Sequence, residues 1–477
     1  MNIKFGTGGW RAIIGDGFTK ANVQRLSAAL ARKMKDEGVA QRGFLIGYDR
    51  RFLSKEAAHW AAEVMAGAGV PCMVVEREAP TPLIMFAVKY YELSYGMAVT
   101  ASHNPALYNG VKVFTRGGRD ADEGVTAAIE QYIVALPDSP YPVVPYEEGV
   151  RTGQIQVIDP MNAYIDSIIR AVNMDAIRAR GLKVVLDPMF GVSKTALSTI
   201  LITARCDVDV IHERRDALFG GRLPAPNSKT LIGLQSFVVE NGCDIGIATD
   251  GDADRLGVID DRGEFLHPNK ILVLLYYYLL RYKGWHGAAV RNIATTHLLD
   301  AIAAQFGETC YEVPVGFKHV SGKMIETGAV IGGESSGGLT VWGHIQGKDG
   351  IYAASLLVEM LATTGRSLSE LYQEITGRCG TFEMVERGYR FSPEEKARIH
   401  RLVIEDEQLP DFGLAVDKVS YADGCKVYFK DGGWVVARFS GTEPLLRVFC
   451  EMDTMDRAAQ VAACMERFLG LEGRNIE

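Results

Sequence analysis

The sequence lacks long hydrophobic runs, an excess of basic residues and paired cysteine motifs, and each absence excludes a class of function. Its longest apolar stretch, Ile271 to Leu280, is ten residues bounded by Lys270 and Arg281. Spanning a bilayer takes about 20 such residues, so the stretch reads as a buried helix. Met1 to Trp10 has no charged segment followed by an apolar one, which argues against a secretory signal. A formal charge of −8, with 23% charged residues, argues against overall attraction to nucleic acid or anionic membrane, while leaving room for a local basic cleft. The eight cysteines (Cys72, Cys206, Cys243, Cys310, Cys379, Cys425, Cys450, Cys464) are scattered, with no CxxC pair. Reduced thiols in a cytoplasmic protein are expected, not disulfides. No low-complexity tract interrupts the chain.

What is present is a repeated theme in 477 residues, 47% of them hydrophobic, a length that implies about three domains. Phe44 to Tyr48 reads as a strand, a helix follows with Ala57, Ala61, Val64, Met65 and Ala68 on one face, and Pro71 to Val75 as a second strand. The order returns at Leu182 to Asp187, a helix from Ser193, and Val208 to His212. It returns again at Val290 to Ala294, Leu298 to Phe306, and Cys310 to Val313. Three such units predict three α/β domains with mainly parallel sheets, whose ligands sit at strand ends. The four prolines between Pro137 and Pro145 read as a stiff joint, with further breaks near Asp260 to Pro268 and Gly377 to Gly380. The last hundred residues change to an α+β pattern: a helix from Ser392 to Glu405, strands Cys425 to Phe429, Trp434 to Phe439 and Leu445 to Met452, and a closing helix from Met455. The expected domains are 1–145, 146–262, 263–377 and a smaller 378–477.

Four loops carry chemistry. Tyr95 to Val99 is a short apolar strand running into Thr100-Ala101-Ser102-His103-Asn104-Pro105, where Asn-Pro enforces a turn and offers Ser102 on a fixed backbone. Alone, this reads more readily as a surface turn than as a nucleophile. Asp250-Gly251-Asp252-Ala253-Asp254-Arg255 lies between two apolar strands, and its three carboxylates at alternate positions can hold one hard cation, Mg²⁺ being the natural choice. An EF-hand is excluded, because its sixth position would be Arg255 and its twelfth Asp261. Arg255 beside the triad suggests that an anion belongs there too. Gly332-Gly333-Glu334-Ser335-Ser336-Gly337-Gly338 puts an acid and two hydroxyls in a glycine-rich loop, suited to neighbouring sugar hydroxyls. Arg438-Phe439-Ser440-Gly441-Thr442-Glu443-Pro444-Leu445-Leu446-Arg447 gathers two arginines, two hydroxyls and a glycine amide, all donors, as a phosphate cradle would.

These four loops in this order, with Tyr108-Asn109-Gly110-Val111-Lys112 behind the first and Gly6-Thr7-Gly8-Gly9-Trp10-Arg11 near the start, closely resemble the signature loops of the α-D-phosphohexomutase superfamily, over essentially the whole chain. The resemblance implies three α/β domains and a smaller C-terminal domain around one central cleft. It implies that Ser102 carries a phosphoryl group, and that Asp250, Asp252 and Asp254 hold Mg²⁺ with a phosphoserine oxygen of Ser102 as a further ligand. Arg11, Lys112 and Arg255 would line the reaction centre, with Lys112 the expected acid and base and His103 either its neighbour in that task or a support of the turn. Glu334 and Ser336 would hold sugar hydroxyls, and Arg438, Ser440, Gly441, Thr442 and Arg447 the non-reacting phosphate. The implied reaction interconverts hexose 1- and 6-phosphates through a hexose 1,6-bisphosphate, which also serves as activator.

Finer marks bear on the substrate. Many mannose- and glucosamine-type members read serine-glycine-histidine in the sugar loop, where this chain has Ser336-Gly337-Gly338. Gly316-Phe317-Lys318 and His344 to Gly350 instead resemble phosphoglucomutases, in which lysines matching Lys318 and Lys348 help bind substrate phosphate. Glucose phosphates are therefore the expected substrates, with a phosphomannomutase or another phosphohexomutase as the alternative and a non-catalytic sugar-phosphate sensor as a remote one. Two departures stand out: Ala12 and Ala253, where the family commonly has glycine, the latter harmless only if its φ is negative. A serine hydrolase would need a different setting for Ser102, and a phosphatase using Asp250 as nucleophile would leave three loops unexplained. The expected partners are small sugar phosphates, with neither nucleic acid nor membrane; monomer and homodimer both stay open.

Overall fold

A computed structural model describes residues 3–6, 8–137, 140–440 and 445–475. The chain divides into two compact units, Met1–Ile271 with Ser336–Ser369, and Leu272–Ser335 with Glu370–Glu477.

The first unit contains two mixed sheets. In one, the strands run in the order Trp10–Ile13, Tyr108–Thr115, Tyr95–Val99, Phe44–Tyr48, Cys72–Val75, Ile155–Ile158. Pairing is parallel from Tyr95–Val99 outward to Ile155–Ile158 and antiparallel on the other side. Phe44–Tyr48 and Tyr95–Val99 are buried along their whole length, which is why they read as uninterrupted apolar runs. Helices Lys20–Asp36 and Ser54–Gly67 cover this sheet with Val23, Leu26, Leu30, Ala57, Ala61 and Met65. The second sheet runs Phe265–Leu266, Leu256–Ile259, Ile245–Thr249, Lys183–Asp187, Asp207–Val210. Its last three strands are parallel, and Leu256–Ile259 folds back antiparallel with Thr249 opposite Leu256. A six-residue turn is too short for the crossover a parallel return requires, so the segment that carries the aspartates has to be a hairpin.

In the second unit Ala289–Asn292 lies parallel to both Cys310–Val313 and Ile331–Gly333, with helices Leu298–Gln305 and Phe317–Thr327 after the strands. A five-stranded antiparallel sheet follows, in the order Glu383–Arg390, Leu445–Met452, Trp434–Phe439, Cys425–Phe429, Val416–Ser420. Helix Met455–Leu469 covers it through Ala458, Val461, Ala462 and Met465. Buried Lys426 ties this sheet to the strand ends before it, donating to the Ile293 carbonyl (2.7 Å) and to Glu312 (2.6 Å) with its ammonium over the Trp434 ring.

The three strand-helix-strand repeats and the C-terminal α+β pattern are all present. The apolar run at Ile271 to Leu280 lies in helix Pro268–Arg281 and is buried throughout. The expected helix from Ser392 is capped by Ser392 and Glu395 but changes at Arg401 to a wider turn through Glu405. Strands Glu383–Arg390 and Val416–Ser420 escape sequence reading because they are rich in charge and only partly buried, and Trp10–Ile13 because its four residues are too few to show a strand period.

Candidate active site

Ser102 follows the central strand Tyr95–Val99 and is 1% exposed. Its φ of +53° lies in the left-handed region, which costs a non-glycine residue about 1 kcal/mol and persists only where surroundings impose it. The Thr100 hydroxyl accepts from the Ser102 amide (2.8 Å) and donates to Asp49 (2.7 Å). Thus held, the Ser102 hydroxyl donates to Asp250 Oδ2 at 2.8 Å. Gly251 permits the approach of the two loops, since a Cβ there would stand 2.9 Å from the Ser102 carbonyl oxygen.

Asp250, Asp252 and Asp254 are all buried, and each offers an oxygen within 4.8 Å of the others. Lys112, on strand Tyr108–Thr115, donates to Asp252 Oδ2 (2.7 Å) and Asp254 Oδ2 (2.6 Å). Lys348 lies 2.8 Å from the same Asp254 oxygen, and Thr81, at the start of helix Thr81–Tyr90, donates to Asp252 Oδ2. Burial alone would lower the Lys112 ammonium, but the two carboxylates outweigh it and hold it above the ordinary lysine value. Burial likewise works against ionised Asp254, and Lys112, Lys348 and Arg255 overcome it, holding that carboxyl well below the usual range. Asp250 is pushed well above that range by burial and by Asp252 and Asp254. Asp252 Oδ1 and Asp254 Oδ1 are buried and accept no hydrogen bond from any described residue. Buried acceptors of this kind are costly. Unused carboxylate oxygens in a three-aspartate cluster are the donor set a hard divalent cation takes, so these residues fit Mg²⁺.

Ala253 has φ +64°. The condition for a harmless alanine is not met, and the loop bears the strain. Ala253→Gly is expected to stabilise the protein by about 0.5–1 kcal/mol, left-handed strain exceeding the extra entropy glycine brings to the unfolded chain, as read from denaturant unfolding.

Arg11 reaches across to the Asn104 side chain at 2.6 Å, and a side chain at Gly8 would collide with its guanidinium. Among the described residues His103 Nδ1 is buried without a partner, and burial together with Arg255 and Arg11 holds the imidazole well below its ordinary pKa, hence neutral. Arg255 donates its amide to Asp250 Oδ1 and forms a bridge with Gly338. Gly338 matters for what stands beside it: a Cβ there would lie 2.4 Å from Lys348 Cδ. The Lys348 stem fills the space that a larger residue at 338 would claim. Asp349, next to Lys348, is fixed by Tyr164, His344 and the amides of Ile351 and Tyr352.

The division into units runs through the sugar loop, since Ser336, which is exposed, belongs to the first unit and Glu334 to the second. In the second unit Glu334 accepts from Asn292 and from the Gly316 amide, both at 3.0 Å. Lys318 lies in the first turn of helix Phe317–Thr327. Arg438 and Arg447 stand directly opposite each other on neighbouring antiparallel strands, so both side chains leave the same face. Like charges so placed repel, and each has an acid beside it: Asp423 3.3 Å from Arg438, Glu386 2.7 Å from Arg447. The Ser440 amide donates to the Leu445 carbonyl. Gly441 and Thr442 lie outside the described residues.

Sequence reading missed Thr81, Asn292, Asp49 and Arg51, all buried and all bonded to the loops above. A signal existed for two of them, since Asp49-Arg50-Arg51 follows a fully apolar strand directly, where a polar run seldom serves packing.

Family models described as phosphoglucomutase/phosphomannomutase alpha/beta/alpha domains I, II and III match residues 2–138, 162–263 and 267–379, and the corresponding C-terminal domain matches 401–467. A phosphoglucomutase/phosphomannomutase of Thermococcus kodakarensis is 30% identical over 96% of this chain and 97% of its own length. A phosphoglucosamine mutase of Acetivibrio thermocellus is 29% identical over 98% and 100%. The solved open form of a Paramecium phosphoglucomutase, parafusin, superposes with a TM-score of 0.85 over 100% of this chain and 96% of that one; at 20% identity the likeness concerns the fold.

Proposed function

Because the chain belongs to the phosphoglucomutase/phosphomannomutase family, whose members are isomerases, we propose that it interconverts hexose 1-phosphate and hexose 6-phosphate, with glucose as the preferred sugar. The observation that carries the reading is the Ser102 hydroxyl, buried, strained and aimed at Asp250 in a pocket of three carboxylates and two lysines. An acyl nucleophile would want a neighbouring base and an oxyanion hole. A carboxylate cluster suited to a cation serves phosphoryl transfer.

In this mechanism phospho-Ser102 meets a free hydroxyl of a sugar monophosphate. The bond from phosphorus to Ser102 Oγ breaks, a bond to the sugar oxygen forms, and the sugar's proton ends on Ser102. The resulting hexose 1,6-bisphosphate turns over and returns its other phosphate to Ser102, and added bisphosphate re-primes any enzyme that has lost its phosphoryl group. Mg²⁺ held by Asp250, Asp252 and Asp254 would neutralise phosphoryl charge in the transition state. Lys112, an ammonium between Asp252 and Asp254, is the assigned proton carrier, and Arg11 and Arg255 supply positive charge to the phosphoryl oxygens. Neutral His103 finds no partner for its Nδ1 among the described residues and so does not brace the turn through that nitrogen. Glu334, Ser336 and Lys318 recognise the sugar and its phosphate, while Arg438, Ser440, Gly441, Thr442 and Arg447 grip the non-reacting phosphate.

Glucose preference rests on Gly338 and Lys348: with no side chain at 338 and the Lys348 stem in its place, the loop offers no imidazole to the sugar. Relatives named phosphoglucosamine mutase keep a second reading open. Parallel Mg²⁺-dependent assays on glucose, mannose, glucosamine and N-acetylglucosamine 1-phosphates, each with its bisphosphate, test the assignment. Glucose 1-phosphate is expected to lead in kcat/KM by at least about tenfold, and a lead for any other sugar would reverse it.

A further inference from the structure

We propose that Arg51 is the positioning residue for Ser102, gripping the carbonyls of the loop that carries it and so holding the serine in the one backbone conformation that presents its hydroxyl to Asp250. The inference rests on the phosphoryl-carrier reading of Ser102 and names what that reading requires.

Arg51 is 1% exposed, and all four of its terminal N–H groups are used on one loop. Nη2 donates to the carbonyls of Ser102 and Asn104, both at 2.6 Å, and Nη1 to those of Pro105 (2.9 Å) and Tyr108 (3.0 Å). Its flat face lies 4.9 Å from the Phe219 ring centre. The same ring comes within 3.4 Å of the Cβ position of Gly251, so the Phe219 ring stands between the guanidinium that grips the serine loop and the aspartate loop.

The guanidinium is itself held. Asp49 Oδ2 lies 3.4 Å from Arg51 Nε, while Asp49 Oδ1 accepts from the Arg51 amide (2.9 Å) and the Ser54 hydroxyl (2.7 Å). Thr100 joins the two halves, donating to Asp49 and accepting from the Ser102 amide.

A left-handed serine needs such a device. Four carbonyls pointing inward at one centre repel one another, and without a planar donor fork between them the loop would open and Ser102 would relax to negative φ. Only arginine offers paired donors in a fixed plane; a lysine supplies a similar charge as a point with three donors. Arg51 touches neither the three aspartates nor the serine hydroxyl in any bond given above. Its effect would pass through loop geometry, where about 1 Å of misplacement can cost roughly 10²-fold in rate.

The test uses the full-length protein, wild type and Arg51→Lys, with Thr100→Val as a milder variant that leaves the arginine in place. Turnover is measured alongside amide hydrogen exchange of peptides covering 101–108 and, as control, 44–48. For Arg51→Lys, kcat is expected to fall about 10²-fold with KM within threefold, and exchange to rise in 101–108 while 44–48 stays protected. Thr100→Val should move both in the same direction by less. A kcat within threefold of wild type, or exchange rising equally in both regions, would overturn the assignment. Should wild type itself turn over no hexose phosphate, the phosphoryl-carrier reading fails, and the exchange contrast still decides whether Arg51 holds the loop.

Discussion

Replacing Ser102 with alanine is expected to remove hexose phosphate turnover by at least about 10⁴-fold, the scale on which losing a covalent nucleophile acts. The same change should remove a phosphoryl group seen by intact mass on the wild-type protein. The fold should survive it, because among the described residues the hydroxyl makes a single hydrogen bond, to Asp250 Oδ2, and such a bond is worth about 1 kcal/mol. A threonine at 102 is a sharper probe. It keeps the hydroxyl but adds a β-branch at φ +53°, where branched residues are most strained, so Ser102→Thr should fail through geometry with the nucleophile present. Intact mass also separates the competing chemistry: a phosphoryl group that persists in Ser102→Ala and maps to Asp250 would make the protein an aspartyl phosphatase and sink the mutase reading.

The second large effect is expected at Asp254. Its Oδ2 accepts from Lys112 and stands beside Lys348, so Asp254→Asn leaves two ammonium groups with one fewer counter-charge in a buried site. Breaking a buried pair this way costs about 3–5 kcal/mol. The variant should melt earlier than wild type and lose turnover by about 10³-fold, on the scale of one transition-state charge contact. The readout that isolates the cation site is thermal unfolding with and without Mg²⁺. Wild type should gain stability with Mg²⁺ by mass action, and Asp254→Asn should gain little. Equal Mg²⁺ stabilisation of the two proteins would remove the aspartate cluster as the metal site. Chelation of wild type with a strong divalent chelator should lower turnover in parallel and restore it on Mg²⁺ return.

Much of the fold was legible in the chain because its central strands are buried on both faces. Phe44–Tyr48, Tyr95–Val99 and Ile245–Thr249 each appear as short apolar runs ending in polar turns, and those turns are where Ser102 and Asp250 sit. Mixed edges were not legible. Tyr108–Thr115 and Trp10–Ile13 pair antiparallel, yet their residues, with Arg11, Asn109 and Lys112 among them, follow the site's chemistry and obscure the period of a strand. In the second unit the opposed Arg438 and Arg447 were visible as two basic residues in one loop, while their common face depended on register.

Local sequence determined which residues could do chemistry: a serine after a strand, three alternating carboxylates, an acid in a glycine-rich turn and a donor-rich hairpin. Burial pattern and turn preference are written over a few residues and survive any arrangement of the whole. Tertiary structure decided what those residues became. Arg51 is separated from Ser102 by 51 positions and Lys112 from Asp252 by 140, and nothing within either segment specifies the partner. Lys348, read from its motif as a phosphate ligand, reaches Asp254, and it does so because Gly338 leaves space for its stem. Ala253 stood out in the chain as an alanine where glycine is common, but only the closed hairpin shows that it takes a left-handed φ. Reach, register and strain are properties of packed backbones, so they appear only once strands far apart in the chain lie side by side.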